Sequence, residues 1–230
     1  MSRYLILLAF LLFSGVTLAG EKSLYDFIWL DPDKKVYVLQ NKLFKKEHSV
    51  YMDVGYISNL TSKFQDTRGF TVKAGWYFHE EWGIEAFMNK YSNFTNDDYK
   101  SVRIINSQVP FIRRFNNMYG LVAIWSPFYG KINTFNNIYY FDWSFGLGGA
   151  SIDAESNLKT SILNANSVSY DKESYSGLIA KSDLKFHIKE NLHLGLGYMN
   201  TYYRAPSPKN PKSDKLRTNT DIILSIGFSI

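Results

Sequence analysis

The 230-residue sequence contains no cysteine, and this absence excludes several kinds of chemistry. The chain cannot form a disulfide, bind a metal through thiolates, or carry a lipid on a cysteine behind its leader. It also lacks the stretches of about 20 apolar residues that membrane-spanning helices require. With 20% charged residues and a mean hydropathy of −0.22, the chain is not a helical-bundle membrane protein.

A strong excess of one charge is absent as well. The sequence has 26 Lys and Arg against 21 Asp and Glu, a net charge of +5, and no basic patch interleaved with aromatic residues. This balance does not indicate a nucleic-acid-binding protein. Aromatic residues are plentiful instead, because 17 Tyr, 17 Phe and 5 Trp make up 17% of the chain.

Eight segments between residues 48 and 230 alternate large apolar side chains with small or polar ones. Because successive side chains of a strand point to opposite faces, each segment predicts a strand with one apolar and one mixed face. The clearest segment places Phe70, Val72 and Trp76 on the same face. The predicted strands are residues 49–58, 69–78, 82–90, 119–125, 138–149, 175–188, 192–203 and 219–230.

The bulk of the side chains decides which face of these strands points inward. The apolar faces carry most of the Trp and Phe residues, whereas the opposite faces carry Gly75, Gly195, Gly227 and other small or polar residues. The interior of an eight-stranded barrel has room only for the side chains that fill it, so the bulky faces must point outward. We therefore predict an all-β fold, an eight-stranded antiparallel transmembrane β-barrel in the outer membrane of a Gram-negative bacterium.

The linkers between the strands give the orientation. Short linkers at 79–81, 126–131 and 189–191 alternate with four longer ones. In outer-membrane barrels the short turns are periplasmic and the long loops are extracellular. Both ends of the barrel chain are therefore predicted to lie in the periplasm.

The residues before the barrel form two predicted segments. Residues 1–19 have a basic start, an apolar middle and small residues before Ala19, which indicates a cleaved signal peptide rather than an anchor helix. Residues 20–47 form a predicted periplasmic N-terminal arm, with a turn signal at 31–33. This arm could cover the periplasmic mouth, enter the barrel as a plug, or bind a periplasmic protein partner.

Charged residues on the inward faces need partners because the lumen is poorly solvated. Strand register around Glu80 places Lys73 diagonal to Glu85, and we predict a luminal ion pair between them. Lys181, Asp183 and Lys185 lie on the inward face of the predicted strand 175–188. They predict a polar ladder in which charges neutralise one another, together with aspartates of other strands. The alternative is that they line a narrow pore. The ladder comprises Lys181, Asp183, Lys185, Asp142, Asp53 and Asp221.

The histidines offer a second candidate site. His187 and His193 are predicted to face each other near the periplasmic rim, either as a pH-sensitive pair or half of a metal site, or as two solvated rim residues. We favour solvated residues because no third metal ligand is evident. Neither His48 nor His79 falls in a His-x-Ser segment resembling lipid A deacylases, so we predict no catalytic residues and no cofactor.

The predicted loops and strand ends carry the remaining signals. A basic group in and beside the last loop could contact lipopolysaccharide or other membrane lipids, or simply be polar because loops are wet. It comprises Arg204, Lys209, Lys212, Lys215 and Arg217. Aromatic residues near the strand ends predict interfacial girdles. These are Trp82, Tyr91, Trp125, Tyr139 and Tyr202.

Three short segments carry a resemblance to a known family. Residues 39–42 (Leu-Gln-Asn-Lys), 79–83 (His-Glu-Glu-Trp-Gly) and 125–131 (Trp-Ser-Pro-Phe-Tyr-Gly-Lys) resemble the outer-membrane β-barrel domain family of myxobacteria and bdellovibrio-like bacteria. The resemblance implies an outer-membrane barrel, with some members linked to surface motility and most without an assigned activity. It transfers no catalytic residues.

These observations together predict a structural or binding role in the cell envelope, without chemistry. A narrow pore for small solutes is the first alternative, and a lipid-modifying outer-membrane enzyme is the second.

Overall fold

The computed structural model describes residues 42–134, 137–163 and 167–230, apart from the side chains of Thr134, Asn210 and Lys212. The predicted signal peptide and the arm up to residue 41 lie outside the described residues. Residues Leu43–Ile230 form one compact unit, which is the barrel with a short segment before it.

Eight antiparallel strands make a closed barrel in which each strand pairs with its neighbours in the sequence, and β8 pairs with β1. Closure leaves no unpaired strand edge, which is required of a sheet in hydrocarbon. All eight predicted strands are confirmed. Their bounds are β1 Val50–Asn59, β2 Gln65–Tyr77, β3 Trp82–Thr95, β4 Arg113–Thr134, β5 Asn137–Ser156, β6 Asp171–His187, β7 Leu192–Ser207 and β8 Asn210–Ser229.

The strands are staggered around the barrel. Paired residues traced from Met52 through β2 to β7 lead to Thr218 in β8. Met52 itself pairs with Phe228, ten residues further along β8. A stagger of this size tilts the eight strands by about 35–45° from the barrel axis.

Connections at the two ends of the barrel differ in length. One end, here the turn end, has the connections 78–81, 135–136 and 188–191. The opposite loop end has the connection 60–64, the helices α1 (Asp97–Ile105) and α2 (Leu158–Leu163), and the turn 208–209. Neither of these helices is long and apolar enough to cross a membrane.

Two predictions about the connections are wrong. Residues 126–131 are not a turn, because β4 continues through them and its register with β5 shifts between Trp125 and Phe128. This bulge accommodates Pro127, which cannot donate a ladder hydrogen bond. The last loop is a tight turn, because β7 and β8 extend together as a hairpin beyond the predicted bounds.

The predicted orientation of the two faces is confirmed. Large apolar side chains cover the outside of the barrel, among them Phe70 (67% exposed), Trp76 (44%) and Leu224 (59%). The inside is filled by charged and polar residues together with a layer of aliphatic and aromatic ones. This distribution, with apolar side chains outside and polar ones inside, fits a barrel surrounded by lipid and not by water.

Candidate functional site

A buried ion network occupies the centre of the lumen. Lys181 in β6 contacts both Glu85 in β3 and Asp183, with 2.7 Å between Lys181 Nζ and Asp183 Oδ2. Lys73 in β2 reaches Asp183 from the other side at 3.4 Å. All four side chains are at most 5% exposed. Such burial is tolerable because each charge faces an opposite one.

The predicted Lys73–Glu85 ion pair is wrong, although both residues point into the lumen. The predicted register is correct, since Lys73 pairs with Phe87 and Gly75 pairs with Glu85. Glu85 instead accepts hydrogen bonds from Lys181 and from the Tyr51 hydroxyl, the latter at 2.6 Å. Partners from across the lumen outcompete the diagonal neighbour, and strand register alone cannot reveal them.

A second group of charges lies between the centre and the turn end. Asp53 in β1 hydrogen-bonds His193 Nε2 at 2.7 Å and lies 3.7 Å from Lys185 Nζ. The Lys185 ammonium is 3.2 Å from the centroid of the Tyr51 ring, a cation–π contact. Gly227 makes this group possible, because a Cβ there would collide with the Asp53 carboxylate and the His193 ring.

Asp142 in β5 is the centre of a third group, at the turn end. It accepts hydrogen bonds from Lys46 and pairs with His187 Nε2 at 2.7 Å. The Phe44 ring stacks on His187 with 4.3 Å between centroids. Residues Leu43–Glu47 belong to the predicted arm, so the last part of the arm packs into the turn-end mouth. Sequence reasoning missed Lys46 because nothing in its local pattern indicates the lumen.

The histidine pair is confirmed in position but not in character. His187 and His193 are paired residues in β6 and β7, with 6.2 Å between their ring centroids. Each bonds its own aspartate rather than the other ring. The interpretation as two solvated rim residues is wrong for His193, which is only 2% exposed. Their pH sensitivity stays a prediction.

The polar ladder is confirmed only in part. Lys181 pairs with Asp183, and Lys185 lies 3.7 Å from Asp53. Asp142 departs from the ladder, because its partners are Lys46 and His187. Asp221 contacts no cation among the described residues; it accepts hydrogen bonds from Tyr91, Asn59 and Asn219 instead. It lies nearer the loop end than the lysines of β6. Tyr91, predicted for an outer girdle, is therefore a luminal residue and is 6% exposed. The other four predicted girdle residues, Trp82, Trp125, Tyr139 and Tyr202, alternate with inward residues on their strands.

The network leaves little free space in the middle of the lumen. The cavity among Lys73, Glu85, Lys181 and their neighbours has about 10 Å³, the size of a single water site at most. Larger cavities lie toward the two ends, about 340 Å³ at the turn end and about 270 Å³ at the loop end. The charged layer thus separates two mouths.

An ion pair between Arg113 in β4 and Glu173 in β6 connects two strands at the loop end. Arg113 Nε donates to Glu173 at 3.0 Å, and Glu173 also accepts from Ser156 and Tyr175. Outward neighbours there are polar, such as Ser174, so this group lies beyond the apolar band. Burial disfavours the charged carboxylate, but the hydrogen bonds from Ser156, Tyr175 and Arg113 outweigh it and lower the pKa of Glu173.

The predicted basic group in the last loop does not form one surface. Strand alternation in the β7–β8 hairpin puts Arg204 on the outward face beside its partner Leu216. Arg217 points inward and lines the loop-end cavity. Lys209 and Lys215 are exposed, and the Lys212 side chain lies outside the described residues.

Comparison with solved structures finds several similar chains at low sequence identity. The chain is similar to the N-terminal β-barrel domain of OprF from Pseudomonas aeruginosa, with 13% identity, a TM-score of 0.46, and coverage of 80% of this chain and 98% of that one. Neisserial surface protein A shows 16% identity, a TM-score of 0.43, and coverage of 79% and 95%. Ail from Yersinia pestis shows 15% identity, a TM-score of 0.43, and coverage of 80% and 99%.

The chain is an eight-stranded β-barrel of the outer-membrane type. All three likenesses are distant, with identities of at most 16% and TM-scores below 0.5. No family model and no curated protein matches the sequence. The resemblance to the barrel family of myxobacteria and bdellovibrio-like bacteria therefore stays a prediction.

Proposed function

We propose that this outer-membrane barrel is a structural or binding component of the Gram-negative cell envelope and that it does not conduct ions. The observation that carries the proposal is the buried network at Lys181, whose four side chains fill the middle of the lumen from three strands. A conducting pore needs a continuous water path, and a space of about 10 Å³ does not provide one. The filled lumen thus favours a closed scaffold over the narrow pore.

Conductance in planar lipid bilayers tests this. The refolded protein is expected to give no steady unitary currents, while a porin inserted into the same lipid serves as the positive control. A variant with Lys181→Ala and Glu85→Ala removes two side chains of the plug, so it is expected to be leakier than the parent protein. Steady unitary currents from the unmodified protein would overturn the closed lumen and favour the pore.

The binding part of the proposal concerns anionic lipid at the outer rim. Arg68 in β2 and Lys90 in β3 point outward on adjacent strands, both exposed, and neither makes an ion pair with another described residue. They are diagonal neighbours, about 7–8 Å apart. Arg204 points outward elsewhere on the rim. Such cations would bind the phosphates of lipopolysaccharide through charge-assisted hydrogen bonds.

A vesicle assay distinguishes specific lipid contact from general polarity. The thermal stability of the barrel in phosphatidylcholine vesicles is expected to rise when lipopolysaccharide is added. Removing the outward charges with Arg68→Gln, Lys90→Gln and Arg204→Gln should abolish that rise. Lys215→Gln is the matched control, because it removes an exposed charge from the inward side of the hairpin. An unchanged rise in the triple variant would refute the lipid contact.

An enzymatic role has less support in the geometry. Among the described residues, the histidine side chains that make hydrogen bonds do so with aspartates, and no serine hydroxyl is held by one. Acyl release from lipopolysaccharide by the unmodified protein, lost when His48 and His79 are replaced, would support the enzyme instead. A periplasmic partner of the arm stays a prediction, for which crosslinking in intact envelopes is the test.

A further inference from the structure

The loop end of the barrel contains a cavity that neither the scaffold role nor lipid contact uses. It has about 270 Å³ and lies between the ends of β1–β4 on one side and the β7–β8 hairpin on the other. Its inner side is made of buried Tyr91, Phe115 and Tyr203. Thr61 and Lys63 at its edge are exposed. The volume is close to the lower limit of ordinary ligand sites, which fits a small ligand.

The cavity is lined by positive charge alone. Lys63, Arg113 and Arg217 are among its lining residues, and no Asp or Glu is. Glu173 neutralises Arg113 from outside the cavity. The other two cations, Lys63 and Arg217, make no ion pair with a described residue. An anion is therefore the complementary ligand.

Two of the lining residues each have a buried polar atom that lacks a partner among the described residues. The first is Nε of Arg217, a charged donor. The second is Oε1 of Gln65, an acceptor on a side chain that is only 5% exposed. The amide nitrogen of Gln65 is already engaged, by Ser62 Oγ at 3.2 Å and the Arg113 carbonyl at 3.0 Å. Unpaired buried groups of this kind are costly, so they call for a ligand that pairs them.

Each of these atoms specifies a different group on the ligand. A guanidinium nitrogen prefers a carboxylate or phosphate oxygen. An amide oxygen requires a hydroxyl or N–H donor. Flat apolar surface is provided by rings that are held in place, since Phe115 contacts Tyr91 at 6.1 Å and Tyr203 at 5.2 Å between centroids. The matching molecule is small, anionic and hydroxylated, with an apolar face.

We propose that the loop-end cavity binds an acidic monosaccharide unit, with the ligand carboxylate on Arg217 and a ligand hydroxyl on Gln65. The sugar ring packs against the aromatic side of the cavity. This binding does not depend on the lipid contacts of the outer rim or on the closed lumen. Either of those proposals could fail while this one stands.

Titration calorimetry on the full-length protein in detergent micelles tests the site with three probes. Glucuronate carries both the carboxylate and the hydroxyls, glucose lacks the carboxylate, and cyclohexanecarboxylate lacks the hydroxyls. Because each missing contact is worth about a factor of ten, glucuronate is expected to bind about tenfold more tightly than either other probe. Equal binding of glucose, or no binding of glucuronate, would overturn the proposal.

Variants assign the contacts within the cavity. Arg217→Met is expected to weaken glucuronate binding about tenfold and to leave glucose binding unchanged. Gln65→Leu should reduce the preference for glucuronate over cyclohexanecarboxylate. Lys215→Met, on the same strand but outside the cavity, is the matched control and should bind like the parent protein. Equal thermal stability of Arg217→Met and Lys215→Met shows that folding is intact, and glucuronate binding by Arg217→Met at parental strength would refute the site.

Discussion

Replacing Lys181 by methionine tests whether the luminal ion network stabilises the barrel. Methionine keeps much of the length of the side chain but removes the ammonium that lies between Glu85 and Asp183. Asp183 keeps Lys73 at 3.4 Å, whereas Glu85 keeps only the Tyr51 hydroxyl at 2.6 Å. The uncompensated charge in the variant is therefore on Glu85.

The magnitude follows from that unpaired carboxylate. Leaving a buried charge without its partner costs about 3–5 kcal/mol. Because Glu85 keeps its hydrogen bond from Tyr51, the free energy of unfolding at pH 7 should fall by about 3–4 kcal/mol.

Urea unfolding in lipid vesicles, followed by tryptophan fluorescence, measures this loss. Adding Glu85→Gln to the variant should recover part of the loss, because the double variant has no uncompensated charge at this position. Lys172→Met on the exposed face of β6 is the control, with a change within about 0.5 kcal/mol. A loss below about 1 kcal/mol at pH 7, or one insensitive to Glu85→Gln, would show that the network is not a stabilising contact.

Three further predictions follow from the geometry. Gly227→Ala should lower the free energy of unfolding by about 1–3 kcal/mol because its methyl group collides with Asp53 and His193, while Gly149→Ala, whose Cβ would meet only one atom at 3.8 Å, should be nearly neutral in the same urea assay. In intact cells a large impermeant maleimide should label Lys209→Cys at the loop end and leave His79→Cys at the turn end unlabelled until the outer membrane is opened; the reverse pattern would invert the orientation. Glu173 has its pKa lowered in the folded protein, so its contribution to stability is present above its ordinary pKa and disappears as the pH falls through the folded value. The rate of proteolysis in the connection between β5 and β6, which contains α2, should therefore increase in acid for the parent protein. A Glu173→Gln variant whose proteolysis shows the same acid dependence would contradict this.

Faces and strands could be read from the sequence because they depend on local periodicity. The alternation around Phe70 and Trp76 determines β2 whatever lies beside it, and only a lipid-facing exterior has room for so many large rings. The short turns at 78–81 and 188–191 set the register of their hairpins, so the sequence predicts the pairing of His187 with His193 that the structure shows.

The sequence-based prediction is wrong where a strand continues past residues that locally indicate a turn or a strand end. Pro127 and its neighbours look like a turn in the sequence, but β4 passes through them because β5 supplies a partner beyond the bulge. Tyr91 looks like a girdle residue at a strand end, but β3 extends to Thr95, so Tyr91 lies within the barrel and reaches Asp221.

The sequence by itself determined that the chain forms a closed barrel with an apolar exterior and charged residues inside, because alternation and side-chain volume act within a strand and between adjacent ones. Only the tertiary structure decided which charges meet. Lys181 reaches Glu85 from a strand that is not its neighbour, and Lys46 enters from outside the barrel sequence to meet Asp142. Contacts across a lumen depend on stagger and side-chain reach in three dimensions, which no spacing along one strand encodes.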